Sequence, residues 1–434
     1  MDIKVKKADL LDLIIVILIF SQLVILGFFG LNSVMNKVVT VLILIRIILH
    51  PHLFPKFSII SSLTVLLLFV LSVVSEGGER AVWSSNFLLI FYPFVYMLYW
   101  VYLFLYNPSF IKRVLNKSYF IVNAVMILNI AVMLIQIYFP YSIQARITGA
   151  QIDYYEDTIC GLFSYGSTHV VGLYCIFVIL YNLSYGKHLN KSHKVLNWCY
   201  TVVIALVNCF ISLNNDNKAF FFLLPLFLFL YIVLTDNKIT QKVSQYILGG
   251  LGTLGVIILG TYFLFPSIHK YVNNTLIKTL SDFLSNYNAG AKAVGSNERI
   301  AIIGYALKKA ETWKFGQGIA TAYLNQSEYH NFRHFGQSDL GSFVLLIGIW
   351  FFIAILISYL YFSISIIKGD SKQRISTVFI IVLTGVLLIL TLYTQCFSRT
   401  NVIITLMLIV SALHIKQNEI RKKESENNRE SGDA

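Results

Sequence analysis

Charge is what this chain has least of. Asp, Glu, Lys and Arg make up only 13% of its 434 residues, while 57% are hydrophobic; soluble domains carry roughly 25% charged residues. A soluble globular fold is therefore excluded by composition. Proline is scarce too, at seven residues, and the mean hydropathy is +0.71. Cysteine numbers five, an odd count, with no Cys–His spacing of the kind that holds zinc, so no metal or other cofactor is expected. Cys175, Cys199 and Cys209 fall in apolar runs and read as small packing residues. Cys160 and Cys396 share one expected side of the membrane, and spacing alone does not decide whether they pair.

What the chain has in excess is apolar runs long enough to cross a bilayer, which takes about 17–25 residues in a helix. They fall near 9–30, 35–50, 57–75, 82–106, 119–139, 166–186, 197–213, 218–235, 244–265, 340–367, 375–395 and 399–415. The expectation is an all-α, polytopic membrane protein of about twelve transmembrane helices, forming a single integral domain over 1–434. "MDIKVKK" precedes a first run of bilayer length with no small-residue cleavage site after it, and reads as the start of an uncleaved span.

Lys and Arg are retained on the cytoplasmic side during insertion. They cluster before the first span (Lys4, Lys6, Lys7) and after the fourth (Lys112, Arg113, Lys117), sixth (Lys187, Lys191, Lys194), eighth (Lys238, Lys242) and tenth (Lys368, Lys372, Arg374). Both termini are then cytoplasmic. The net charge of +13 lies mostly in these turns, where it suits anionic lipid headgroups; no nucleic acid is expected as a partner. Asp12 and Arg46 sit near enough to helix ends to snorkel, and the aromatic run "FYPFVYMLYWVYLFLYNP" reads as an interfacial belt.

On this topology 266–338 is one long extracytoplasmic loop. Its apolar residues recur at helical spacing, Leu276, Leu280, Phe283, Leu284 and Tyr287 in one stretch and Ile300, Ile303, Leu307 and Ala310 in another, which predicts amphipathic helices. The polar segment 416–434 reads as a frayed cytoplasmic tail. In the ninth span Gly249, Gly252 and Gly255 share one face, suited to close helix packing.

The densest polar chemistry lies at the end of the long loop, in "SEYHNFRHFGQSDLGSF" from Ser327 to Phe343. Before it come Arg299 and Gly316-Gln317-Gly318; within it come His330-Asn331, then Asp339 and Gly341 at the start of the tenth span. As an ordered set this resembles the O-antigen polymerase and O-antigen ligase superfamily of bacterial envelope-glycan assembly. The likeness is densest over 299–348 and extends more weakly to "RITG" at Arg146 and to "GLFSYGSTHVVGLY". Where that superfamily often has Ser-Arg, this chain has Asn217-Lys218, which keeps a positive charge without the planar two-pronged donor.

The resemblance implies a glycosyltransferase of the bacterial inner membrane, with its active site on the extracytoplasmic face. Its donor would be an undecaprenyl-diphosphate-linked oligosaccharide, and its expected protein partners a chain-length regulator and a flippase. Arg299, Arg146, Lys218 and Arg333 would supply cations for the departing diphosphate, with Asn331, Gly316 and Gly318 also lining the substrate site. His330 is the candidate base for the acceptor hydroxyl, and Asp339 would orient it or the acceptor sugar. Direct displacement inverts the anomeric centre and needs no metal.

Each assignment has a plainer rival. His330 could simply hydrogen-bond at the loop–membrane junction, and Arg333 could meet headgroups. "HNFRH" lacks the glutamate of a zincin motif and shows no third ligand. A polymerase joining repeat units and a ligase transferring finished glycan share the motif set. A flippase or transporter would place charge near the bilayer midplane or show two related halves, and neither is visible here.

Overall fold

The computed structural model describes residues 7–49, 80–139, 155–186, 191–215, 217, 219–234, 266, 298–309, 316, 338–369, 375–393 and 395–432. The described residues form helices and turns, without a strand. The helices are α1 (Lys7–Ser21, continued by a π-helical turn Gln22–Leu26), α2 (Asn32–Leu49), α3 (Arg80–Tyr106), α4 (Pro108–Lys117), α5 (Tyr119–Tyr138), α6 (Thr168–Tyr185) and α7 (Lys191–Asn214). They continue with α8 (Phe220–Ile232), α9 (Glu298–Lys309), α10 (Asp339–Ile347), α11 (Ile349–Lys368), α12 (Thr377–Tyr393) and α13 (Thr400–Gly432). Among the described residues, eight helices are long and apolar enough to cross a membrane, and α8 and α12 are shorter apolar helices. The expected spans at 57–75 and 244–265, the amphipathic stretch 276–287 and the glycine face of the ninth span lie outside the described residues.

Three helices form the centre. The apolar windows of α13, α6 and α3 are 89%, 83% and 72% buried, whereas those of α2 and α7 are 22% and 28% buried. Helices apolar on all sides but buried on only one present the rest to lipid, and those buried all round are the core. A chain of rings runs from Phe163, in the turn before α6, along that helix through Tyr174, Phe177, Tyr181 and Tyr185, with centroids 5.2–6.0 Å apart.

The aromatic run in α3 is core rather than interfacial belt. Tyr96, Tyr99, Trp100 and Tyr102 are at most 3% exposed. Buried phenol and indole groups need partners, and the bundle provides them. Tyr96 donates to Gln22 Oε1 at 2.8 Å, Tyr99 to Asp12 Oδ1 at 2.8 Å, and Trp100 Nε1 to Ser411 Oγ at 2.8 Å.

Asp12 and Arg46 do not snorkel either. They meet across α1 and α2, Arg46 Nε to Asp12 Oδ1 at 2.9 Å and the second nitrogen to Oδ2 at 3.1 Å, at 0% and 6% side-chain exposure. Asn107 bonds both Asp12, at 3.3 Å, and Asp9, at 3.1 Å, and Arg113 pairs with Asp9 at 2.8 Å. A buried pair is tolerable only when the remaining lone pairs are satisfied, and Tyr99 and Asn107 do that here. Lys112, Arg113 and Lys117 on α4, Lys194 in the first turn of α7 and Lys368 at the end of α11 all lie toward this Asp12 end of the bundle. Asp339 lies at the opposite end, beside the start of α13.

Four further expectations are corrected. The tenth span is two helices, because Gly348 adopts φ 83° and separates α10 from α11; only a residue without a Cβ takes that conformation easily. The tail is helical to Gly432, as its Glu, Lys, Arg and Gln content favours. On α9 the buried face is Ile302 and Ala306, each 1% exposed, whereas Leu307 is 38% exposed. Of the cysteines, Cys199 is exposed rather than packed, and all five are free thiols.

Candidate functional site at the Asp339 end

Asp339 opens α10, ahead of the span that begins at Ile349. Ser338 caps the helix: its hydroxyl accepts from the Gly341 N–H at 3.4 Å and donates to the Thr391 carbonyl, at the end of α12, at 3.2 Å. The Asp339 carboxylate, 1% exposed, accepts from the Phe397 N–H and, at 2.6 Å, from the Ser398 hydroxyl. One aspartate thus ties the end of the long loop to the turn between α12 and α13.

Burial pushes the Asp339 carboxyl up to about 7, although the Ser398 and Phe397 bonds and the charge of Arg399 all act to lower it. Desolvation therefore outweighs hydrogen bonding. No cation among the described residues comes within ion-pair distance of it. Tyr359 of α11 lies behind the turn, its ring stacked on Phe397 with centroids 4.4 Å apart.

Two described parts of the long loop, the helix α9 and Gly316, lie against α10. α9, whose first turn carries Arg299, packs along it. A Cβ at Gly341 would come within 2.8 Å of Ile302 Cγ2 on α9. Gly316 has φ +75° and lies so close to the Leu346–Ile347 backbone that any Cβ would collide with it. Both glycines are thus close-approach positions. Arg146, Lys218, Gly318, His330, Asn331 and Arg333 lie outside the described residues.

The second arm of the site is the turn from Tyr155 to Ser167. It enters the bundle rather than crossing over its end. Gly161 N–H donates to Gln136 Oε1 at 2.7 Å and Leu162 N–H to Asn129 Oδ1 at 2.7 Å, and Asn129 stands half-way along α5. Asn215 donates to the Ile159 carbonyl at 3.2 Å. Irregular backbone at such depth survives only where its polar groups find partners, and the Asn and Gln side chains inside α5 provide them. Asn401, in the first turn of α13, bonds Ser164 at 3.2 Å, and Ser164 bonds Ser167 at 2.6 Å.

Sequence reasoning missed Ser398, Arg399, Asn401, Asn129 and Gln136. The available signal was polar amides inside apolar runs, which a search for charge passes over. Among the described residues no group of three His, Cys, Asp or Glu side chains is placed to hold a metal ion. No known protein family, curated protein or solved structure matches the chain.

Proposed function

We propose that the protein is a surface-polysaccharide polymerase. It joins undecaprenyl-diphosphate-linked oligosaccharide repeat units at the Asp339 end, which faces the outside of a bacterial cytoplasmic membrane. The observation that carries this reading is the convergence on α10 of residues far apart in the chain: the helix bearing Arg299, Gly316, Asp339 and Gly341. These are described members of the ordered set that resembles the O-antigen polymerase and ligase superfamily. The basic residues of α4, α7 and α11 lie at the opposite end, as a cytoplasmic placement of that end requires.

The chemistry follows from the donor. Its lipid tail stays in the bilayer while its sugar meets an acceptor at the surface, so the reaction belongs at a bundle end. Diphosphate leaves without strong protonation but needs fixed cations, a role for Arg299, Arg146, Lys218 and Arg333. The acceptor hydroxyl loses its proton as it attacks the anomeric carbon, and His330 takes that proton. Asp339 is bonded to the α12–α13 turn, so its role in this reading is positioning: it holds the loop end against the α13 start.

The test is a gel of surface glycan and lipid-linked intermediates from a strain lacking the protein, beside a complemented strain. A ladder collapsed to single repeat units on the final acceptor supports the polymerase. Full-length glycan stranded on undecaprenyl diphosphate would instead identify a ligase. An unchanged ladder would rule out both. Within the polymerase reading, His330→Ala should reduce turnover about 10²–10⁴-fold in a stably made protein.

A further inference from the structure

We infer that the paired N-terminal ends of α6 and α13 form an anion site for the diphosphate of the lipid-linked donor, with Arg399 as its cation and the Asn401 amide as a hydrogen-bond donor. This rests on the donor class proposed above and adds residues that the motif set does not contain.

The two most buried helices of the bundle run parallel. Asn401 meets Ser164 just before α6 begins, and Ser184, near the end of α6, donates to the Ala412 carbonyl of α13 at 3.2 Å. Their positive ends therefore lie side by side at the Asp339 end, each equivalent to roughly half an elementary charge. Ser167, at the N-cap of α6, turns its hydroxyl to Ser164 and does not cap its own helix. Arg399 is exposed on the residue before α13, with Nε donating to Gln395 Oε1.

Asn401 is the observation that points to a ligand. It is 9% exposed; its NH₂ donates to Ser164 and its Oδ1 has no partner. Leaving a buried polar atom unpaired costs about 1–3 kcal/mol, so such an atom between two helix N-termini asks for a partner. The two ends of an amide are assigned from their bonding. Turned over, the oxygen accepts from the Ser164 hydroxyl and the NH₂ becomes the unpartnered end, the polarity an anion needs. The acidic neighbours are Glu156 and Asp157 on the inserted turn and Asp339. Burial keeps the last protonated for part of the time at neutral pH, which limits its repulsion of a phosphate.

Phosphate oxygens could also come from an ordinary anionic headgroup, so the experiment separates the two. Full-length protein in phosphatidylcholine nanodiscs is titrated with undecaprenyl diphosphate and with undecaprenol, which shares its tail, for wild type, Arg399→Gln, Asn401→Asp and the control Lys117→Gln. Melting temperatures confirm that each variant is folded. The expected result is preference of the wild type for the diphosphate, lost by about tenfold or more in Arg399→Gln and Asn401→Asp and kept in Lys117→Gln. Inorganic pyrophosphate should compete, and phosphatidylglycerol should not.

If folded Arg399→Gln and Asn401→Asp proteins hold the diphosphate as tightly as wild type, the subsite is wrong and the donor class stands. If wild type binds the diphosphate no better than undecaprenol, both fall. Equal displacement by phosphatidylglycerol would make this a general headgroup site and overturn the assignment.

Discussion

The two ends of the bundle treat a buried aspartate in opposite ways. Asp12 is fully buried and fully compensated: a two-pronged arginine, a tyrosine and an asparagine all donate to it. Asp339 is as deeply buried but is met by the Phe397 and Ser398 backbone and the Ser398 hydroxyl, with no two-pronged cation, and burial pushes its carboxyl up to about 7. The first arrangement spends its polar groups on one another and joins α1, α2 and α3. The second lies beside an exposed arginine and an amide with one unpartnered end, and no ion pair offsets its burial among the described residues. Groups whose environment opposes their usual ionisation cluster at working sites, and this difference supports the proposal that the Asp339 end is the working end.

The sharpest way to break that contrast is to cut the Asp12–Arg46 pair. Asp12→Ala strands a buried guanidinium and should destabilise the protein by about 3–5 kcal/mol, measured by thermal unfolding in detergent. Asp12→Leu with Arg46→Met, which removes both charges at similar volume, should be nearly neutral. A double variant as unstable as the single one would show that the pair does more than hold helices together.

At the other end, Gly316→Ala adds a Cβ where φ is +75° and the Leu346–Ile347 backbone is in the way. A loss of about 1–3 kcal/mol is expected from the strained backbone conformation alone. A smaller loss, by the same unfolding measurement, would mean that the long loop is not seated on α10.

Asp339 predicts a pH dependence. Its folded value, about 7, lies above its ordinary 3.8, so the fold favours the protonated form. That contribution is fully present below about 3.8 and is lost as pH rises through about 7. Melting temperature should therefore fall across this window in the wild type, with this component absent in Asp339→Asn. A melting profile identical in the two proteins would refute the reading. The smallest effect belongs to Lys117→Gln, an exposed end-of-helix change expected to stay within about 0.5 kcal/mol.

Much of this was legible in the sequence, and the failures share a cause. Apolar run length placed every described span to within a few residues except the 340–367 run, because a bilayer sets helix length directly. Gly348 broke that run, since a glycine inside an apolar stretch does not announce whether it will take a positive φ. The α3 aromatics and the Asp12–Arg46 pair were misplaced for another reason. Tyr, Trp and charged residues near span ends have interfacial readings by default, and only tertiary packing shows that Gln22, Ser411 and Tyr99 await them. On α9 the helical spacing of Ile300, Ile303, Leu307 and Ala310 was visible and the helix is there, but the deepest burial falls on Ile302 and Ala306, where Gly341 of α10 supplies the facing surface. At the candidate site, Asp339, Gly316 and Gly341 stood out as a spaced set. Ser398, Arg399 and Asn401 did not, because their relation to Asp339 and Ser164 crosses 59–237 positions of chain.

The most direct test of the account is polymerisation by the purified protein in vesicles. Undecaprenyl-diphosphate-linked repeat units would be supplied and the products separated by length, for wild type, the charge-free Asp12/Arg46 double variant and Asp339→Ala. A ladder is expected from the first two and its loss from the third. Folded wild-type protein that makes no ladder, or an Asp339→Ala protein that elongates while the double variant does not, would contradict it.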